Sequence, residues 1–119
     1  MKINQTEYIS EGTLNAFYTY CTKDGSHYYQ FNYVYVSGYY EIDIISQPYY
    51  RTRDAGLAKT HRLPSPRKGI NHKVCISDDV KRTITLTKAK KISMEWAELT
   101  SKYIRTGITI DNQIAAYSN

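Results

Sequence analysis

Between Thr13 and Ile45 the chain alternates with a period of two, and two turn signals interrupt it at positions that keep the alternation in phase. Leu14, Ala16, Tyr18 and Tyr20 alternate with Thr13, Asn15, Phe17 and Thr19, the period of a strand whose two faces differ. Asp24-Gly25 follows, a strong hairpin signal because a two-residue turn wants positive φ at both places. A turn there pairs Lys23 with Ser26, Tyr20 with Tyr29, Tyr18 with Phe31, Ala16 with Tyr33 and Leu14 with Tyr35. A second turn at Ser37-Gly38 pairs Val36 with Tyr39, Tyr35 with Tyr40, Tyr33 with Ile42 and Phe31 with Ile44.

The two registers agree, and a slip of one residue in either would scatter the apolar set across both faces. One face collects Leu14, Ala16, Tyr18, Tyr20, Tyr29, Phe31, Tyr33, Tyr35, Tyr40, Ile42 and Ile44. The other is mixed: Asn15, Phe17, Thr19, Cys21, Tyr28, Gln30, Asn32, Val34, Tyr39, Glu41, Asp43 and Ile45, as a solvent-facing or ligand-facing surface would be. Tyrosine dominates here. The chain has 13 tyrosines against two phenylalanines and one tryptophan, and ten of the 13 lie between Tyr18 and Tyr50.

Beyond the meander the pattern changes twice. Residues 47–71 show no period and hold all three prolines. His72 to Ser77 reads as a fourth strand, with Val74 and Ile76 on one face, and Ser77 to Asp79 marks a turn. From Leu86 to Thr106 the period is helical, with Ala89, Ile92, Trp96, Leu99 and Tyr103 forming one apolar stripe. Thr85 is placed to cap the helix, Lys102 and Arg105 favour the negative end of its dipole, and Gly107 stops it. The opposite side of the helix carries Lys88, Lys90, Lys91, Glu95 and Glu98 and reads as a solvated face, with Glu98 and Lys102 spaced for an ion pair. Residues 108–110 are expected as a short strand, 111–119 as a frayed tail, and 1–11 as an edge strand or a tail.

The apolar stripe needs a partner and the aromatic face needs a cover. The expected fold is therefore α+β: an antiparallel sheet of three to four strands packed on one C-terminal helix, with a long basic loop between strands 3 and 4. At 119 residues, with 41% hydrophobic and 23% charged side chains, residues 1–119 make a single globular domain. Its parts are a meander at 13–46, a loop at 47–71, a strand at 72–77 and a helix at 86–106. The sequence has no apolar run of membrane-spanning length and no secretory leader pattern at its start, so a cytoplasmic protein is expected. Two cysteines, Cys21 and Cys75, are too few for a disulfide scaffold.

Charge narrows the function. The net is +5, but residues 51–73 hold seven basic side chains and one acid, a local +6, and the remainder is −1. Concentrated charge points to an anionic partner more strongly than an even excess does. Within Gln47 to Gly69, the candidate ligand-binding residues are Tyr49, Tyr50, Arg51, Arg53, His61, Arg62, Arg67 and Lys68. Arginine offers a planar fork matched to phosphate oxygens, and tyrosine offers a ring that stacks on a base. The first expectation is a non-enzymatic binding protein that holds a phosphate-bearing ligand, a nucleotide or a nucleic acid.

The alternative is a protein-interaction module or inhibitor, of the kind phages and mobile elements use to sequester a target, acting through Phe17, Tyr28 and Tyr39. A homo-oligomer would use the same face, where aromatic residues are enriched. No catalytic motif, metal-ligand spacing or cofactor motif is present. His72 and Cys75 lie three apart on a strand and so point to opposite faces. Glu41 and Asp43 share a face and are expected to be solvated there. A hydrolase would need the fold to bring His61 or His72 against a carboxylate or a cysteine.

Overall fold

A computed structural model describes residues 17–81 and 85–118. Five strands form one antiparallel sheet: β1 (Phe17–Cys21), β2 (Tyr28–Val36), β3 (Tyr39–Ser46), β4 (Arg62–Pro64) and β5 (His72–Val74), in the order β1-β2-β3-β5-β4. The helices are α1 (Asp78–Lys81), α2 (Leu86–Thr106) and α3 (Ile110–Ser118).

Both meander registers are as expected. Tyr18 lies opposite Phe31, Tyr20 opposite Tyr29, Phe31 opposite Ile44, Tyr33 opposite Ile42 and Tyr35 opposite Tyr40. The pairs expected for Leu14 and Ala16, and the reading of residues 1–11, lie outside the described residues. A bulge at Gln30/Phe31 shifts Gln30 onto Ser46. Ser37 and Gly38 both take positive φ, +48° and +94°, as the tight turn requires. The first turn is wider than two residues. Thr22 N donates to His27 O at 3.0 Å and Gly25 N to Thr22 O at 2.8 Å, and of Asp24-Gly25 only the glycine has positive φ. Asp24 instead accepts from Ser26 N and Ser26 Oγ, at 2.9 and 2.7 Å. The register survives because the wider turn is closed symmetrically about the same centre.

Helix α2 begins and ends where the stripe places it. Thr85 Oγ1 accepts from Lys88 N at 3.1 Å, and Gly107, at φ +81°, donates its N–H to Tyr103 O at 2.8 Å. Its buried face packs Leu86, Ala89, Trp96 and Ala97 against Tyr29, Phe31, Tyr33, Tyr40, Ile42 and Ile44 of the sheet. The Tyr29 and Phe31 rings stack 6.1 Å apart, and Trp96 meets each edge-on. The helix answers the hydroxyls of the two most deeply buried core tyrosines with serines: Tyr29 with Ser101 at 2.8 Å and Tyr33 with Ser93 at 2.7 Å.

Several expectations need correction. The strand expected over 72–77 is the shorter β5, which ends at Val74. The loop at 47–71 contains β4, an edge strand that exists only by pairing with β5. Residues from Ile110 onward form α3 rather than a strand and a frayed tail: Thr109 caps it, its Oγ1 accepting from Asn112 N at 3.1 Å. Asp78 and Asp79 open the single turn α1. A second cluster, Tyr50, Tyr103, Ile104 and Ile110 with Leu99 packed on it, joins the loop to α2 and α3.

Candidate functional site

The mixed face of the sheet is not open over its centre. Asn32, Val34, Glu41 and Asp43 are all buried, and Arg67 lies across the two acids. Arg67 Nε and Nη2 donate to the two oxygens of Asp43, and Nη2 also donates to Glu41 Oε1 at 2.6 Å. Lys73 Nζ donates to Glu41 Oε2 at 2.8 Å, and Ser65 Oγ to Asp43 Oδ1 at 2.8 Å. Burial alone would raise the Glu41 carboxyl, but the hydrogen bonds from Lys73 and Arg67 outweigh it and hold the group below its ordinary 4.5. Glu41 and Asp43 are therefore the anchor of the loop, not the solvated pair the strand pattern suggests.

The remaining loop residues divide in the same way. Arg62 is buried: Nε donates to Thr60 Oγ1 at 2.8 Å, Nη2 to Ala55 O at 2.6 Å and Nη1 to His72 Nδ1 at 3.2 Å, with the Tyr50 ring 4.9 Å from the guanidinium carbon. Tyr50 is itself buried, and burial pushes its hydroxyl up to about 12 against the pull of Arg62. Arg53 Nε donates to Ile104 O at 3.2 Å, closing a free carbonyl at the end of α2. His61 Nε2 meets Asp111 Oδ1 at 2.7 Å, and its own carbonyl accepts from Cys75 N at 2.9 Å. Tyr49, at 85% exposure, Arg51 and Lys68 stay at the surface. The eight loop residues do not converge on one point. Arg53, Arg62 and Arg67 each serve a different internal acceptor set.

At the β1 end of the mixed face, among the described residues, the situation is reversed. Phe17 is 55% and Tyr28 66% exposed, and Thr19 and Cys21 of the same face are exposed with them. Tyr28 sits opposite Cys21 and Phe17 opposite Asn32, so the two aromatics bracket this end of the sheet, on β1 and its neighbour. Tyr39 does not join them: it is half-buried and packs against the core. Among the described residues no group of three or more His, Cys, Asp and Glu is placed to hold a metal ion. No helix among them is long and apolar enough to cross a membrane.

The internal role of the arginines is what sequence reasoning missed. One sign of it was present: Glu41 and Asp43 stand in the third strand of a meander, next in sequence to a loop rich in cations. Comparison of the chain with protein-family models, curated proteins and solved structures finds no match.

Proposed function

We propose that this protein is a non-enzymatic protein-interaction module, a sequestering or inhibitory protein, that docks its target on the aromatic end of the sheet at β1 and β2. The observation that carries the reading is the contrast in exposure. Phe17 and Tyr28 stand out on a rigid sheet, while the guanidinium groups of Arg53, Arg62 and Arg67 are engaged inside the protein. Large aromatic side chains give much contact area for little lost rotamer freedom. Within the described residues β1 is an edge strand, so a target strand could also pair with it. We place the protein in the cytoplasm, where the exposed thiols of Cys21 and Cys75 stay reduced. A second copy of the chain would use the same surface.

A phosphate-bearing ligand is the second reading. It rests on Tyr49, Arg51 and Lys68, which remain exposed. Affinity capture from cells that make the protein, with the retained partner quantified by mass spectrometry, ranks the two. Phe17→Ala/Tyr28→Ala is expected to reduce capture at least tenfold, because buried aromatic anchors are worth about 2 kcal/mol each. Arg51→Glu/Lys68→Glu is expected to leave it within twofold. The opposite ranking, or a nucleotide-mass adduct in native mass spectrometry that Arg51→Glu removes, moves the site to the loop.

A further inference from the structure

Helix α3 turns the charged flank of α2 into the wall of a groove. Gln113 fastens the two, its Nε2 donating to Leu99 O at 3.0 Å and Ile108 O at 2.9 Å. Between them and the tip of the β1–β2 hairpin lies a groove of about 720 Å³. Met94, Leu99, Ile114 and Tyr117 make it apolar, and Tyr117 is 77% exposed on its rim. A cavity of that size and lining suits an apolar ligand.

The charges around it select the ligand further. Lys23, Lys91, Lys102 and Arg105 line the groove with Glu95 and Glu98. Two of these six are already engaged: Glu98 accepts from Tyr20 OH and, at 2.9 Å, from Lys23 N, and Arg105 pairs with Asp24 at 3.2 Å. Glu98's donors are neutral and leave its charge in place, so the exposed Lys23, Lys91 and Lys102 face Glu95 and Glu98, an excess of one positive charge. The cations are also spread out. Lys91 and Lys102 are three turns apart on α2, about 16 Å at 1.5 Å per residue. One compact acidic headgroup reaches one of them; carboxylates distributed along a helix reach both. A second copy of the chain would set the same cations against each other.

We propose that the groove between α2 and α3 binds an acidic amphipathic helical segment of a partner protein. The segment lays apolar residues at i, i+3/i+4 and i+7 on Met94, Leu99 and Tyr117. Its acids lie toward the ends, near Lys91 and Lys102, and away from Glu95. This surface lies on the helical side of the sheet, opposite the face that carries Phe17 and Tyr28, so either can fail without the other.

The probe is a synthetic fifteen-residue helical peptide with leucines at that spacing and glutamates flanking them, compared with a twin carrying lysine for glutamate. Both are titrated into the full-length ¹⁵N-labelled protein. The glutamate peptide is expected to shift amides of α2 and α3 and to bind at least tenfold tighter than its twin. Lys91→Glu/Lys102→Glu should weaken it at least tenfold, and Tyr117→Ala should weaken it while leaving the thermal midpoint within about two degrees, because that ring is exposed. No binding, equal binding of the two peptides, or shifts confined to β1 and β2 overturns the proposal. So does tighter binding of decanoate, a single-headed acid, or self-association that Tyr117→Ala abolishes.

Discussion

Two histidines set how the fold answers to mild acid. His27 Nδ1 is 2.9 Å from Ser101 Oγ, and partial burial, with the nearby charge of Arg51 and against the opposite pull of Asp24, holds the ring below its ordinary 6.5. His72 is held below 6.5 by burial and by Arg62, whose Nη1 donates to its Nδ1 and so favours the neutral ring. In both cases the unfolded chain takes up a proton before the folded one does. Their contribution is therefore complete above about pH 6.5 and is lost as the pH falls from there through the folded values. The urea midpoint should be lower at pH 5.5 than at pH 7.5. His27→Gln/His72→Gln should flatten that slope; a midpoint that rises on acidification would refute the assignment.

At the scale of elements, the end of α2 joins two features that are separate in sequence. Gly107 sits at φ +81°, where an L side chain is strained, and a Cβ there would stand 3.0 Å from Arg53 Nη1. Gly107→Ala should destabilise the protein by about 1–2 kcal/mol, read from urea unfolding. Combined with Arg53→Ala the loss should be less than the sum of the two, because the crowded guanidinium is gone. Gly107 was legible as a helix stop, and so were the bounds of α2 and both meander registers, because periods of 3.6 and 2 persist there over many residues. Arg53 was not legible as its neighbour. Element β4 is three residues long, includes Pro64 and has no period of its own; β5 creates it. Helix α3 did carry a signal, Thr109 ahead of Ile110 and Asp111, but its nine residues hold too few apolar positions to show a stripe. The candidate site was legible only at side chains that stay exposed, Phe17 and Tyr28. Arg67 meets Asp43 across 24 residues of chain, and no spacing rule reports such a pairing.

Over the whole molecule, the loop acts as a strap around the β5–β4 side of the sheet. Its first half joins the helices through Tyr50 in the second core and through Thr60, whose carbonyl accepts from Trp96 Nε1 at 3.0 Å. Its second half crosses the other face, where Arg67 closes on Glu41 and Asp43. Both acids are buried; removing Arg67 leaves Glu41 paired with Lys73 but strips Asp43 of the cation that balances it in the interior. Arg67→Ala should destabilise the protein by about 3–5 kcal/mol, whereas Lys68→Ala, at the surface, should change it by less than about 0.5 kcal/mol. Arg67→Met/Asp43→Asn, which removes that pair together and leaves Lys73 on Glu41, should recover part of the loss. The strap should also open locally: trypsin should cut Arg67→Ala at Lys59 or Lys68 under conditions where the parent protein is intact. If Arg67→Ala matched the parent in both stability and cleavage, the loop would be free to meet a ligand and its arginines available for phosphate. If the strap holds as the hydrogen bonds indicate, the two surfaces proposed for recognition, the aromatic end of the sheet and the groove between the last two helices, are ones it leaves open.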